Sequence, residues 1–255
     1  MDNRPIGVFD SGVGGLSFLR RAKDILPYES FIYFGDSLNA PYGTKSREAV
    51  LALSFKNADM LISKGVKAIV IACNTATSIA VDSMRKKYDV PIISMEPAIK
   101  PALEKTCGRV LLMATVVTLN SVRVSSLIER FDKDNRVIKV PCTELAEKIE
   151  QSALGDNGVE AYLEKLLSPY KSEKVESVVL GCTHYPFVAE RIKRILNVNA
   201  VFDGIDGTAN HLKEVLNTEN LACDENNART VSILSSKNDA ETNKLYNKLY
   251  TGGSV

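Results

Sequence analysis

The sequence predicts an α/β protein whose mainly parallel sheets are covered by helices on both faces. Three observations carry that expectation. Short apolar segments alternate with amphipathic ones along the 255-residue chain, the cadence of repeated β–α units. The apolar segments are rich in Val, Ile and Phe and are closed by turn residues, as buried parallel strands are. One segment also recurs: Ala68-Ile-Val-Ile-Ala-Cys73-Asn74-Thr75 parallels Ser177-Val-Val-Leu-Gly-Cys182-Thr183-His184, with the two cysteines 109 residues apart. That spacing is about one domain length, so each cysteine can occupy the same place in one of two related halves.

Residues 5–9 read as a strand and 15–26 as a helix stopped by Pro27. A strand over 31–34 precedes a long amphipathic helix over 46–64, with Ser46 as N-cap and Gly65 just past its end. Residues 67–72 form a buried strand, 75–87 a helix and 90–94 a short strand. The cadence then restarts with strand 109–114, helix 119–131, strand 137–140 and helix 144–153. A helix over 159–167 is ended by Pro169. Strand 176–181, helix 184–196, strand 200–202 and helix 208–216 follow. The chain finishes with a strand over 230–234, a helix over 239–250 and a frayed tail at Gly252, Gly253 and Ser254. No low-complexity linker marks a domain boundary.

Composition narrows the function. With 32 basic and 31 acidic side chains the net charge is +1, which is not the basic footprint of a dedicated nucleic-acid binder. The longest apolar runs, 68–73 and 110–117, are too short to cross a bilayer. The chain opens directly on a strand without a signal peptide, so a cytoplasmic protein is expected. Five cysteines with no C-x-x-C pair argue against a disulfide framework, and two histidines without ligand spacing argue against a zinc site.

Each cysteine is therefore either core filler or reactive thiol. Cys73 and Cys182 both end an apolar strand and precede polar residues that have no use in a core. Ligands bind at the carboxyl ends of strands in open α/β sheets, and a helix start there favours the thiolate and lowers its pKa. Cys107, Cys142 and Cys223 lack that context and read as structural.

The first strand ends in Asp10-Ser11-Gly12-Val13-Gly14-Gly15. Ser17 stands where G-x-G-x-x-G needs glycine, and no G-K-[ST] follows, so a dinucleotide site and a P-loop are both excluded. The glycines permit a concave nest of amides suited to a small anion such as a carboxylate. Asp10 is placed to hold a substrate ammonium or orient a catalytic group, although Asp10 and Ser11 serve equally as helix-capping residues. Asp36, Pro41, Tyr42 and Gly43 lie in a turn-rich loop that either presents donors to a ligand or merely connects elements. His184, two residues after Cys182, is either a packed residue or a partner of that thiol; His211 reads as structural.

Taken together, Gly7-Val-Phe-Asp-Ser-Gly-Val-Gly-Gly-Leu16, Tyr33-Phe-Gly-Asp36, Pro41-Tyr-Gly43, Ala72-Cys-Asn-Thr-Ala76 and Leu180-Gly-Cys-Thr-His-Tyr-Pro186 resemble the signature blocks of the glutamate racemase family, and Met95-Glu-Pro97 matches as well. The resemblance implies two α/β domains related by a pseudo-twofold axis, with the active site in the cleft between them. It implies a discontinuous first domain over 1–97 and 207–255 and a second over 98–206. It further implies that Cys73 removes the α-proton of D-glutamate and Cys182 that of L-glutamate, without any cofactor or metal. Asp10 and His184 match residues that assist the thiols, Asp36 fits a supporting acidic position, and a further glutamate falls at Glu147, with Glu150 close by. The implied substrate cradle is Asp10, Ser11, Tyr42, Gly43, Asn74, Thr75, Thr115, Thr118, Thr183 and His184. D-Glutamate supply for peptidoglycan, a homodimer, and no nucleic-acid or membrane partner follow from the same resemblance. The alternative is a relative acting on aspartate or another amino acid. Met113-Ala-Thr-Val-Val-Thr118 and Phe202-Asp-Gly-Ile-Asp-Gly-Thr208 depart from the family pattern at the edges of the pocket. No long N-terminal extension is present, so activation by a precursor is not expected.

Overall fold

The structure is a computed structural model and describes residues 1–225 and 229–252. Gly253 and Ser254 of the expected tail lie outside the described residues, whereas Gly252 follows the last helix with φ +88.

The chain begins with β1 (Ile6–Asp10), buried throughout, and α1 (Leu16–Ile25), which stops ahead of Pro27. After β2 (Phe31–Gly35), two single 3-10 turns, Ser37–Asn39 and Tyr42–Thr44, lead into α2 (Arg47–Ser63). That helix starts as expected because Ser46 Oγ accepts the Ala49 N–H, and Gly65, at φ +73, supplies the left-handed residue that ends it. β3 (Ala68–Ile71), α3 (Asn74–Lys87) and β4 (Ile92–Ser94) follow.

The next run comprises α4 (Ile99–Lys105), β5 (Arg109–Ala114), α5 (Val116–Leu119), α6 (Val122–Phe131), β6 (Val137–Pro141), α7 (Leu145–Ala153) and α8 (Gly158–Leu167). It continues with β7 (Val175–Gly181), α9 (Ala189–Leu196) and β8 (Ala200–Asp203). The chain then returns through α10 (Ile205–Thr218) to β9 (Val231–Ser235) and α11 (Ala240–Tyr250).

Several expected helices differ in detail. The one expected over 119–131 is two helices, because Ser121 Oγ accepts the Val124 N–H and starts α6 afresh. The one expected over 184–196 begins only at Ala189. Pro186 disfavours helical geometry in the residue before it, so a 3-10 turn (Tyr185–Val188) comes first, and Val188 leaves the helical region at φ −119. Pro169 sits inside a 3-10 turn (Ser168–Tyr170) that prolongs α8 rather than cutting it off. α4 was not expected at all. Its Pro101 falls in the first turn, where the missing N–H costs nothing, and Ile99, Ala102 and Leu103 form its buried stripe.

Every strand pairing is parallel. The first sheet has the order β4-β3-β1-β2-β9 and the second, read from its far edge, β8-β7-β5-β6. Apart from β9, the two orders are the same. In each sheet the opening strand has the second strand on one side and the third on the other, which places the topological switch point between β1 and β3 and between β5 and β7. Crevices outside the carboxyl ends of strands at such points are where open parallel sheets bind ligands. Phe9 pairs with Ile71 and Ala114 with Gly181, so Cys73 and Cys182 leave their sheets at equivalent places. Each sheet has apolar clusters on both faces, around Phe18 and Tyr33 or Leu61 and Ile69 in the first, and around Leu163 and Ile192 or Leu112 and Val179 in the second. Each fully buried aliphatic side chain of this kind stabilises the fold by roughly 1.5–3 kcal/mol. No helix among the described residues is long and apolar enough to cross a membrane.

Candidate active site

β3 delivers Cys73 to the N-cap of α3, where its Sγ accepts the Ala76 N–H at 3.4 Å and donates to Ser11 Oγ at 3.6 Å. Burial is the largest influence on this thiol and, with the Asp10 charge, pushes it up to about 12; the Ala76 N–H and the Ser11 hydroxyl pull the other way. The expected lowering by the helix start is therefore overturned, because desolvation outweighs the partial charge of the helix end.

At Cys182 the helix argument fails for a different reason: only a 3-10 turn follows, and α9 starts seven residues later at Ala189. Its partner is a side chain. His184 Nδ1 lies 3.8 Å from Cys182 Sγ, and His184 Nε2 lies 2.8 Å from Glu150 Oε1. Burial opposes a charged imidazole here, but Cys182 and Glu150 outweigh it and hold His184 well above its ordinary 6.5. The resemblance put a glutamate at Glu147, with Glu150 close by. Both line the cavity, and the carboxylate bonded to His184 is that of Glu150.

The glycine loop is also not the open anion nest expected from the sequence. Gly12 N–H donates to Asp10 Oδ1 at 2.9 Å and Gly15 N–H faces the same carboxylate, so the chain's own Asp10 fills the nest. Asp10 is fully buried and accepts from Thr183 Oγ1 at 3.0 Å. Burial raises its pKa above 3.8, against the opposing influence of the His184 charge. It stands behind Thr183 and the Ser11 loop and anchors both. Asp36 is likewise behind the wall, accepting from Tyr42 Oη at 2.6 Å and from Asn39. Asn57 Nδ2 completes the phenol's environment at 2.9 Å. Burial and the Asp36 charge push the Tyr42 phenol upward, so it remains a donor.

These elements enclose a cavity of about 180 Å³. Ser11, Tyr42, Gly43, Cys73, Asn74 and Thr75 line it from the first sheet's loops; Thr115, Glu147, Glu150, Cys182, Thr183 and His184 line it from the second's. Thr75 Oγ1 meets Thr115 Oγ1 at 3.0 Å across the cleft, and Thr118 supports both from behind. Ser37, Ala40, Pro41 and Ala146 also line the cavity; nothing in their sequence context but the loop position of Pro41 pointed there. No lysine or arginine is among the described residues of the lining. Asn74 Oδ1 is buried at the wall without a partner, the kind of acceptor a ligand N–H group would satisfy. Cys107, Cys142 and Cys223 are not part of the lining.

Residues 16–213 match the protein family described as Asp/Glu/hydantoin racemase. The chain is 44% identical over 252 residues to the glutamate racemase of Clostridium botulinum strain Hall, covering 98% of each chain. Among solved structures it is similar to glutamate racemase from Francisella tularensis in complex with D-glutamate, at TM-score 0.85 and 31% identity over 100% of this chain and 96% of that one. It is also similar to Escherichia coli glutamate racemase in complex with L-glutamate and the activator UDP-MurNAc-ala, at TM-score 0.87 and 30% identity over 98% and 96%. The two matching thiol-bearing segments, the shared fold and these similarities over nearly the whole length lead to one assignment: the chain belongs to the Asp/Glu/hydantoin racemase family, and within it to the glutamate racemases.

Proposed function

We propose that the chain interconverts L- and D-glutamate with Cys73 and Cys182 as opposed acid/base catalysts. The observation that carries this reading is that two thiols, at equivalent strand ends of two sheets, line one small cavity. Inverting an α-carbon requires a proton to leave one face and another to arrive at the opposite face. With L-glutamate, the Cys182 thiolate takes the α-proton, charge spreads into the adjacent carboxylate, and the Cys73 thiol delivers its proton from the other side. D-Glutamate runs the same steps in reverse. The imidazolium of His184 is placed to stabilise the sulfur anion at Cys182, and a Cys73 thiol pushed up to about 12 keeps its proton until the carbanion develops. With no Lys or Arg among the described residues of the lining, the hydroxyls of Ser11, Thr75 and Thr115 and the backbone amides of the walls are the groups available to meet the substrate carboxylates; the Tyr42 and Thr183 hydroxyls already donate to Asp36 and Asp10. Asn74 Oδ1 is available to the ammonium. The chemistry as written needs no cofactor or metal.

The same reading places the domain division at 1–97 with 207–255 against 98–206, and takes the protein as a cytoplasmic homodimer supplying D-glutamate for peptidoglycan. The test is circular dichroism of L-glutamate with purified protein, followed in D₂O by loss of the Cα–H signal. Cys73→Ala and Cys182→Ala should each abolish racemisation; racemisation surviving in both would end the two-thiol reading.

A further inference from the structure

We propose that the C-terminal helix α11 is a positioning element for both thiols, acting through Tyr246 on the Cys73 side and through Lys248 on the Cys182 side. This rests on the two-thiol reading above and extends it to residues that do not touch the cavity.

Tyr246 is 4% exposed, and its ring meets that of Tyr33 edge-on, with centroids 6.2 Å apart. Its Oη donates to the Gly12 carbonyl at 3.2 Å, and Tyr33 Oη donates to the same oxygen at 2.7 Å. With its single hydrogen committed there, Tyr246 accepts from Ser37 Oγ at 2.9 Å. The phenol thus fixes the residue next to Ser11, whose hydroxyl accepts from the Cys73 thiol, and turns Ser37, which lines the cavity. Gly35 makes room for this arm, since a Cβ at that position would overlap both Tyr246 Oη and the Gly12 carbonyl.

Two residues further on, Lys248 Nζ donates to the carbonyl of Ala153 at 2.7 Å. Ala153 is the last residue of α7, so its carbonyl has no partner within the helix and lies at the negative end of the helix dipole. Ala153 is also buried in the core cluster of the first sheet, although the rest of α7 packs on the second. Glu150, three residues earlier on α7, holds His184 Nε2, and His184 Nδ1 faces Cys182. One helix therefore reaches both walls of the cleft, and each arm ends at a different thiol. A tie of this kind sets the separation of two groups that must both approach one carbon atom.

Tyr246→Phe removes one hydroxyl and keeps the ring; Lys248→Met removes the ammonium and keeps the stem. Primary isotope effects with α-deuterated D- and L-glutamate report separately on proton removal by Cys73 and by Cys182. Tyr246→Phe should lower kcat roughly fivefold, the usual effect of one lost hydrogen bond, while raising the isotope effect on D-glutamate and reducing that on L-glutamate. Lys248→Met should show the opposite pattern. General loosening would lower Tm and leave both isotope effects unchanged, and isotope effects unmoved in both variants, or moved together, would overturn the proposal. Should one variant fail to fold, the other decides alone. A parent protein that never racemises glutamate defeats the two-thiol reading instead, before either variant is compared.

Discussion

Replacing Gly14 by alanine separates the placement of His184 from the stability of the fold. Gly14 does not have a left-handed φ, so alanine meets no backbone strain and its effect is steric. The added Cβ would fall 2.7 Å from His184 Cε1, and nearer still to His184 Nδ1 and Thr183 Oγ1. Neither neighbour is a free chain end: the imidazole is held between Cys182 and Glu150, and the Thr183 hydroxyl donates to Asp10. Ordinary contact begins at 3.4 Å, so the ring must retreat by at least 0.7 Å, the difference between 3.4 and 2.7. Its contact with Cys182 Sγ is already 3.8 Å long, and a misplacement approaching 1 Å costs on the order of 100-fold in rate. Overpacking by one methyl costs about 1–3 kcal/mol, which at this chain length lowers Tm by roughly 2–12 °C and leaves the protein folded. Glutamate racemisation by circular dichroism, run beside a thermal melt, measures both. A Gly14→Ala protein that racemises within threefold of its parent would refute the geometry inferred for His184.

Two further substitutions test the electrostatics. Glu150→Gln removes one of the two influences that raise His184, so the pH above which L-glutamate turnover declines should move downward, with a rate loss of roughly 10- to 100-fold, as befits a charge-assisted hydrogen bond. Glu147→Gln, which leaves the His184 contact intact, should stay within a few-fold, and equal losses would show that the wrong pair of residues has been distinguished. Asp10→Asn addresses a carboxyl whose folded pKa is raised above 3.8. The native state then binds its proton more tightly than the unfolded chain, so ionisation costs stability as pH rises from 3.8 through the folded value, and that cost persists at neutrality. The asparagine variant should therefore melt above its parent at neutral pH, lose that advantage at acid pH below 3.8, and racemise more slowly. A melting difference that does not vary with pH would contradict the burial argument.

The strands, their parallel arrangement and the two thiol segments were legible because each rests on local pattern: apolar runs, turn residues and a recurring strand–Cys–polar segment. Helix boundaries were less legible where one side chain decides them, as Ser121 does in dividing α5 from α6, or where Pro186 tightens the turn after His184. The site was harder to read for three physical reasons. Glu147 and Glu150 are three residues apart on one face of α7, so periodicity cannot say which meets His184. Asp10 reads as a free carboxylate beside an open glycine nest, and no local pattern shows that its own loop wraps it. Tyr246 lies in an unremarked amphipathic helix, and its reach to Gly12 spans 234 residues, a relation that no local window contains.

The edge position of β9 bears on how the molecule is assembled during synthesis. All strands of the four-stranded sheet lie between residues 109 and 203, so that sheet can close as soon as this stretch leaves the ribosome. The five-stranded sheet cannot, because the outer edge of β2 stays bare until β9 pairs with it. A nascent chain paused before residue 231 therefore carries one finished sheet beside one with an unpaired, association-prone border.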